Sequence, residues 1–251
     1  MRIIFLGNNW VGWQVLQYLK EQKENIVGLV IHPQGKCKFR KEIIATANIN
    51  SNRIIEGQNL RQPWVLDAVK ALQPDMGLSI LFDYILKPEF LGLFPQGVVN
   101  LHPSFLPYNL GQYPNVWSIV EGTPAGVTLH YIDKGVDTGD IIAQKQTAIE
   151  PVDTGETLYR KLEKTGVELF KKSWPLIRSG KAQRKVQDIE EGTYHATRDV
   201  DLIDAIDLDR TYTAGELINV IRARTFKPYP GAYFNHQGRK IYLRLELAYE
   251  E

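Results

Sequence analysis

The chain has 251 residues, a formal net charge of +1 and charged side chains at 24% of its positions. A charge so close to zero gives no electrostatic footprint for nucleic acid or an anionic membrane, so neither is expected as a partner. Cys37 is the only cysteine, which excludes an internal disulfide and a cysteine metal site. No apolar run is long enough for a signal peptide or a membrane span, and we expect a cytoplasmic location.

The first part of the sequence alternates apolar runs with segments of helical periodicity. The predicted strands are "RIIFLG", "NIVGLVIH", "MGLSILF" and "GVVNLH", and the predicted helices are "WVGWQVLQYLKEQKE", "RQPWVLDAVKALQPD" and "KPEFLGLF". The polar stretch "PQGKCKFRKE", residues 33–42, is predicted to be a loop, and its role is open. Continuous apolar strands that alternate with helices predict a doubly wound, Rossmann-like parallel sheet covered on both faces.

The second part of the sequence changes character near Gly180. Two extended stretches, "GVTLHYID" and "GDIIAQKQTAIE", precede a long helix, "GETLYRKLEKTGVELFKKSWPLIRSG". From Lys181 the chain is polar and irregular, and it ends in a short helix, "AGELINVIRA", and a hairpin that turns at "NHQG". The sequence therefore predicts a catalytic α/β domain at residues 1–180 and a small C-terminal α+β domain with a hairpin at residues 181–251.

The predicted hairpin has one apolar face. A lone hairpin is marginal in water, so this face must be covered, either by the first domain or by a second copy of the chain. The alternating residues that form the face are Ile241, Leu243, Leu245 and Leu247.

The turn after the first strand, "GNNWVG", lacks the dinucleotide fingerprint. Asn9 stands where that fingerprint needs its middle glycine, and the second strand ends without an acid for a ribose hydroxyl. We therefore expect neither NAD nor ATP. Two interpretations of Asn9 and Trp10 stay level: turn chemistry with a packed aromatic ring, or contact with a substrate at the carboxyl end of the strand.

Asn100 and His102 lie at the end of the strand "GVVNLH", where open α/β sheets keep their sites. Alternation along the strand directs both side chains to the same face. An amide N–H can stabilise an oxyanion, and a neutral imidazole can accept a proton near pH 7. Asp137, flanked by Gly135 and Gly139, is the favoured carboxylate to orient the histidine. Each residue alone favours a structural role, and their combination favours catalysis.

The remaining histidines are not expected to form a metal site. His32, His195 and His236 show no metal-ligand spacing, so no metal is predicted. His130 lies within a predicted strand, and we expect it to be structural or to face the second domain.

Two separate motifs carry a family resemblance. "NLHPSFLP" followed by "GVTLHYIDKGVDTGDIIAQ" resembles the formyltransferases that use 10-formyltetrahydrofolate. The shared signature is Asn-x-His with a downstream Asp in D-x-G, which Asn100, His102 and Asp137 match. "GQYPNVWSIVEGTPAG" and "TFKPYPGAYF" are similar to segments of the sugar N-formyltransferases. The near-neutral charge and the length of the chain disfavour a member that binds tRNA.

The resemblance implies an amine that attacks the formyl carbon carried by the folate. His102 then accepts a proton, Asp137 orients the imidazole, and Asn100 stabilises the oxyanion. The residues implied for folate binding, for which core packing or turn geometry is the alternative, are Leu81, Phe82, Tyr84, Leu106 and Gly111. On the acceptor side, the resemblance implies Tyr113 and Asn115, and the position of the first loop at the strand ends adds Asn9 and Trp10. A diphosphate would also need a cation, for which Lys87 is the candidate and a plain surface lysine is the favoured alternative.

The implied acceptor is a nucleotide-linked amino-dideoxyhexose, with thymidine diphosphate and an amine at the third or fourth sugar carbon preferred, for O-antigen or other surface polysaccharide. The amine position and the base stay open. The resemblance also favours a homodimer through the hairpin. Alternatives are another small amine such as glycinamide ribonucleotide, a formyl-folate hydrolase, or a catalytically silent binding module. The hydrolase is disfavoured because such enzymes carry a further domain before the catalytic one.

Overall fold

The computed structural model describes residues 1–250 and contains the predicted α/β architecture. The strands are β1 Arg2–Gly7, β2 Asn25–Ile31, β3 Ile54–Glu56, β4 Met76–Ile80, β5 Val98–His102, β6 Leu110–Gly111, β7 Gly126–Tyr131, β8 Ile141–Gln146, β9 Tyr194–His195, β10 Tyr233–His236 and β11 Arg239–Tyr242. The helices are α1 Asn9–Glu21, α2 Arg40–Ala47, α3 Pro63–Ala71, α4 Pro88–Leu91, α5 Pro114–Val120, α6 Gly155–Arg178, α7 Val200–Asp204 and α8 Ala214–Ala223.

Seven strands form the main sheet in the order β3-β2-β1-β4-β5-β7-β8. The pairs from β3 through β5 are parallel, and β7 runs antiparallel to β5. The doubly wound, mostly parallel sheet predicted from the sequence is therefore confirmed. The strand order reverses between β1 and β4, which is where sheets of this kind open their ligand crevice at the carboxyl ends of the strands.

Both faces of β1 are fully buried, which explains its continuous apolar run. Ile4 and Leu6 belong to a hydrophobic cluster with Val65 and Val69 of α3. Ile3 and Phe5 alternate with them and are also 0% exposed. The predicted apolar face of α1 is buried as well and consists of Val11, Val15, Leu16 and Leu19.

The segment at residues 33–42 was predicted to be a loop throughout, and that prediction is wrong at its end. Helix α2 begins at Arg40, so the last three residues of the segment are helical. Sequence patterns gave no signal for α2 because only Ile43 and Ala47 of its eight residues are buried. Strand β3 and helix α7 were also not predicted, because each has five residues or fewer.

Helix α6 is the longest helix and has the inward face that the sequence predicts. Leu158, Leu162, Leu169 and Trp174 are each at most 6% exposed. The Trp174 indole N–H donates to Oε1 of the buried Glu24 at 3.0 Å. Within residues 1–250, no helix is long and apolar enough to cross a membrane.

The chain forms two compact units, each built from several segments. The first unit contains Met1–His102, Thr128–Gln144 and Glu163–Gln187, and the second contains Pro103–Val127, Lys145–Leu162 and Asp188–Glu251. The sheet from β1 to β5 lies in the first unit, and the hairpin β10–β11 lies in the second. The single boundary near Gly180, between domains at residues 1–180 and 181–251, stays a prediction.

Candidate active site

The register of β5 against β7 brings the signature residues to one face of the sheet. Asn100 lies directly opposite His130, and His102 lies opposite Thr128. Residues two apart on a strand share a face, and directly opposed residues have Cβ atoms about 5 Å apart. The pairing therefore places the Asn100, His102 and His130 side chains together, all within the first unit.

Asp137 contacts all three of these side chains. Its Oδ2 lies 3.6 Å from His102 Nδ1, and its Oδ1 lies 3.5 Å from Asn100 Nδ2 and 3.6 Å from His130 Nε2. His102 is 7% exposed, and the Asp137 side chain is 15% exposed. Contacts of this length in a resting enzyme often tighten when substrates bind. The structure thus brings together the three residues that the sequence predicts as catalytic.

The loop between β7 and β8 holds Asp137 in a left-handed backbone conformation, with φ of 56°. A Cβ at Gly139 would lie 1.9 Å from the carbonyl oxygen of Tyr131, so only glycine fits this close approach. Asp133 accepts hydrogen bonds from the Gly135 N–H at 2.9 Å and from the Thr138 hydroxyl at 2.7 Å. These constraints fix the direction of the Asp137 carboxylate.

Gln187, which the sequence analysis did not select, braces the same loop. Its Nε2 donates to the carbonyl oxygens of Asp137 at 2.8 Å and Gly139 at 2.5 Å. Both acceptors are carbonyls, so the amide nitrogen must face the loop. Gln187 lies about fifty residues further along the chain, outside both motifs, so no local pattern could have identified it.

His130 is in the strand where the sequence places it, and its ring belongs to the same cluster. Its Nδ1 lies 2.8 Å from the Tyr131 carbonyl oxygen, and its Nε2 lies 3.1 Å from Asn100 Nδ2. The ring is 1% exposed. The sequence did not predict this contact, because the contact depends on the order and register of the strands, which cannot be determined from a single sequence.

Together these side chains can perform acyl transfer. His102 presents Nδ1 to Asp137, so Nε2 is the ring nitrogen that can exchange a proton with a reacting group. Asn100 supplies amide N–H groups beside it, the donor type that stabilises an oxyanion. The chemistry matches a general base, its orienting carboxylate and an oxyanion donor.

In the turn between β1 and α1, the asparagine side chains accept hydrogen bonds from nearby backbone N–H groups. Asn8 caps α1 and accepts from the Asn9 N–H at 2.8 Å and the Lys38 N–H at 2.9 Å. Asn9 is 8% exposed, has φ of 66°, and accepts from the Trp10 N–H at 2.6 Å. Trp10 is half-buried. Turn chemistry accounts for these contacts, and substrate contact by Asn9 and Trp10 stays a prediction.

Three of the predicted folate residues follow β4 in the first unit. Leu81 is half-buried and has a left-handed φ of 48°. Phe82 and Tyr84 pack on each other at 5.4 Å and on the ring of His32, each at 5.1 Å. Phe82 is therefore part of a packed aromatic group. Lys87 is exposed just before α4. Folate contact by the first three and acceptor contact by Lys87 stay predictions.

The other predicted binding residues belong to the second unit. Leu106 is 1% exposed, and a Cβ at Gly111 would lie 2.4 Å from the His195 carbonyl oxygen. Tyr113 is 38% exposed, whereas Asn115 is 6% exposed and donates from Nδ2 to the Gly155 carbonyl at 2.9 Å. Asn115 is thus held within its own unit. The binding roles of these four residues stay predictions.

The described residues 1–250 contain no group of three or more histidine, cysteine, aspartate or glutamate side chains arranged to hold a metal ion.

Comparison with protein families gives two matches. Residues 1–173 match the family described as formyl transferase. Residues 199–249 match a family described as the N-formyltransferase dimerization C-terminal domain. The first match contains Asn100, His102 and Asp137.

Two relatives illustrate the similarity in sequence. The methionyl-tRNA formyltransferase of Geotalea daltonii is 30% identical over 247 residues, which cover 96% of this chain and 78% of that protein. The dTDP-4-amino-4,6-dideoxyglucose formyltransferase of Mycobacterium bovis is 35% identical over 176 residues, which cover 69% of this chain and 75% of that protein. Both relatives transfer a formyl group, and their acceptors differ.

Solved structures give a similar result. A 4-N formyltransferase from Francisella tularensis superposes with a TM-score of 0.83 at 27% identity, covering 99% of this chain and 98% of that one. A formyltransferase from Anoxybacillus kamchatkensis, in complex with UDP-4,6-dideoxy-4-formamido-L-AltNAc and tetrahydrofolate, has a TM-score of 0.57 at 31% identity. It covers 80% of this chain and 89% of its own.

Proposed function

Because the chain belongs to the formyl transferase family, we propose that it moves a formyl group from 10-formyltetrahydrofolate to the amine of a nucleotide-linked amino sugar. The observation that carries the proposal is the cluster of Asn100, His102 and Asp137 at the end of β5, within hydrogen-bonding reach or slightly beyond it. The relatives of known acceptor include an enzyme for a dTDP-linked amino-dideoxyglucose.

The chain's own residues have defined roles in this reaction. The bound folate supplies the formyl group. Asn100 donates an N–H to the formyl oxygen as negative charge develops there, and such a donor contributes about 10²–10³ in rate. His102 Nε2 takes the proton that the attacking amine loses and returns a proton to the departing folate nitrogen. Asp137 fixes the tautomer of His102 and stabilises the imidazolium.

The relatives include enzymes for tRNA and for nucleotide sugars, and the acceptor that we propose is a nucleotide sugar. The Mycobacterium bovis enzyme, at 35% identity, acts on a dTDP-amino sugar, and the Anoxybacillus enzyme was solved with a UDP-linked formamido sugar and tetrahydrofolate. The net charge of +1 is not the strongly basic balance that is typical of a chain that binds a tRNA backbone. We place the reaction in the cytoplasm, in synthesis of O-antigen or another surface polysaccharide.

A panel of acceptors tests this function. Purified protein is incubated with 10-formyltetrahydrofolate and thymidine-, uridine- or guanosine-diphosphate amino sugars with the amine at the third or fourth carbon. Mass spectrometry reads the gain of one formyl group. Further arms contain glycinamide ribonucleotide, methionyl-tRNA, or no amine.

The arms separate the alternatives. Formylation of glycinamide ribonucleotide or methionyl-tRNA alone would overturn the sugar acceptor and keep the family chemistry. Tetrahydrofolate release that needs no amine would identify a hydrolase, and no release in any arm would identify a binding module.

We also propose that two copies of the chain associate through the hairpin β10–β11. The region matches a dimerization family, and Ile241 and Tyr242 are 41% and 48% exposed on the single chain. Ile241→Glu should convert a dimer to a monomer in light scattering, because it places a charge in an apolar contact. Leu176→Glu is the control, since Leu176 is 55% exposed on α6 outside the hairpin. A monomeric wild-type protein at micromolar concentration would remove this proposal.

A further inference from the structure

The amide of Asn100 is held on one side by His130. Asn100 and His130 are directly opposed across β5 and β7, and Asn100 Nδ2 lies 3.1 Å from His130 Nε2. A neutral imidazole has one donor nitrogen and one acceptor nitrogen. Which of them faces Asn100 decides whether the asparagine turns its nitrogen or its oxygen towards this side.

The other ring nitrogen answers that question. His130 Nδ1 lies 2.8 Å from the carbonyl oxygen of Tyr131, and a carbonyl oxygen only accepts. In the neutral ring, Nδ1 therefore carries the proton, and Nε2 is the acceptor. An acceptor at Nε2 requires a donor opposite, so the Asn100 NH₂ group, rather than its oxygen, faces His130 and Asp137.

Burial makes this orientation costly to lose. His130 is 1% exposed, so an acceptor nitrogen left without a donor there has no water to replace the lost hydrogen bond. If the amide flipped, its oxygen would face Nε2 and the Asp137 carboxylate at the same time, and all three groups are acceptors. One Asn100 N–H is thus held by His130, and the amide nitrogen lies 3.5 Å from Asp137 Oδ1 on its other side. Because the amide is planar, the contact with His130 also fixes the direction of the second N–H, which is the one available to an oxyanion.

We propose that His130 is a positioning residue that keeps the Asn100 amide nitrogen turned towards the reacting carbonyl. The proposal rests on the proposed function, because it assigns His130 an effect on the oxyanion donor of formyl transfer. His130 touches neither substrate in this proposal and acts through Asn100. Its removal lowers turnover by letting the amide rotate, and it leaves substrate binding intact.

Three variants of His130 separate positioning from a structural role. Glutamine places a side-chain oxygen near the position of Nε2, so it can accept from Asn100 without bonding to Tyr131. Asparagine places a side-chain nitrogen near the position of Nδ1, so it keeps the bond to Tyr131 and loses the acceptor. Phenylalanine keeps the ring and loses both.

If His130 positions Asn100, the His130→Gln variant should have a kcat within about threefold of the wild-type value. His130→Asn and His130→Phe should lower it by about 10–100-fold, below the 10²–10³ of a missing oxyanion donor, with KM nearly unchanged. An active asparagine variant beside an inactive glutamine variant would show that the bond to Tyr131 is what matters, and would overturn the proposal. Thermal unfolding of each variant shows whether a loss of turnover comes from a loss of fold.

A double-mutant cycle with Asn100 gives the second test. In an Asn100→Ala background, His130→Phe should lower kcat no further, because the amide that His130 orients is gone. Losses that multiply would mean that His130 acts independently of Asn100, and the proposal would be wrong.

A spectroscopic measurement on the wild-type protein needs no substrate. The ¹⁵N chemical shifts of the His130 ring should report a neutral imidazole protonated at Nδ1. A ring protonated at Nε2, or a cation paired with Asp137, overturns the proposal. If no acceptor is formylated, the proposed function fails, and this measurement still decides how Asn100 is oriented.

Discussion

Two strands of the same sheet end in a histidine beside an aspartate. At the end of β5, His102 Nδ1 lies 3.6 Å from Asp137, and after β2, His32 Nε2 lies 3.8 Å from Asp83. Both rings are buried, at 7% and 5% exposure. The carboxylates differ, because the Asp137 side chain is 15% exposed and the Asp83 side chain is 69% exposed.

The ring nitrogens of the two histidines are also used differently. His32 Nε2 accepts from the backbone N–H of Asp83 at 3.4 Å, so the neutral ring cannot also donate from that nitrogen to the Asp83 carboxylate. Its faces and edges pack against Phe82 and Tyr84. A short distance between a histidine nitrogen and a carboxylate oxygen therefore does not by itself make a catalytic pair. A half-buried carboxylate, held by its loop and facing one ring nitrogen, distinguishes His102 from His32.

The largest expected effect follows from replacing each histidine. His102→Ala should lower kcat by about 10²–10⁴, the contribution of a positioned general base. Asn100→Ala should cost about 10²–10³. His32→Gln is the matched control and should keep kcat within a few-fold, because its ring is committed to packing. Equal losses from His102→Ala and His32→Gln, with both proteins folded, would abolish the distinction between the two pairs.

The two carboxylates provide the next comparison. Asp137→Asn should lower kcat by about 10²–10³, because an amide nitrogen beside Nδ1 favours the wrong tautomer of His102. Asp83→Asn should leave kcat within about twofold, since its side chain is largely in solvent. Steady-state kinetics measures both, with 10-formyltetrahydrofolate and the amino sugar that the wild-type protein formylates. A severe Asp83→Asn variant would mean that the second pair also takes part in the reaction.

A smaller effect tests whether the loop makes Asp137 different from Asp83. Gly139→Ala places a methyl group on the Tyr131 carbonyl oxygen and should destabilise the fold by about 2–4 kcal/mol, with lower turnover from a displaced Asp137. Gly215→Ala, in α8 with no atom within 4 Å of the added methyl, should be stabilised by about 0.5–1 kcal/mol. Thermal unfolding measures both. An unchanged midpoint for Gly139→Ala would show that the loop has room to adapt.

The same comparison shows how far the sequence could predict the site. The continuous apolar run of β5 predicted its burial, and the positions of Asn100 and His102 at its end followed from it. Asp137 could be selected because two glycines flank it. His130 and Gln187 reach the site through the register of β7 and a contact about fifty residues away in sequence. Those contacts are decided by tertiary pairing, which local patterns do not contain.

The least severe prediction concerns pH and belongs to the second pair. Burial lowers the pKa of His32, and Lys36 adds to that effect while the Asp83 carboxylate opposes it. Between the ordinary histidine pKa of about 6.5 and the lower pKa of native His32, the unfolded chain therefore binds a proton at His32 and the native chain does not. This pH range is the window for the effect. The stability that neutral His32 contributes is complete above the window and is lost as the pH falls through it.

Thermal unfolding between pH 7.5 and pH 5 checks the sign. Within the window, the wild-type protein should lose up to about 1.4 kcal/mol per pH unit relative to His32→Gln, because one proton is taken up on unfolding. His236→Gln is the control: His236 is exposed at the end of β10, and its replacement should leave the pH dependence as it is. If His32→Gln follows the wild-type curve, native His32 binds its proton as readily as the unfolded chain does, and burial does not lower its pKa. The contrast with His102 would then have to rest on the carboxylates alone.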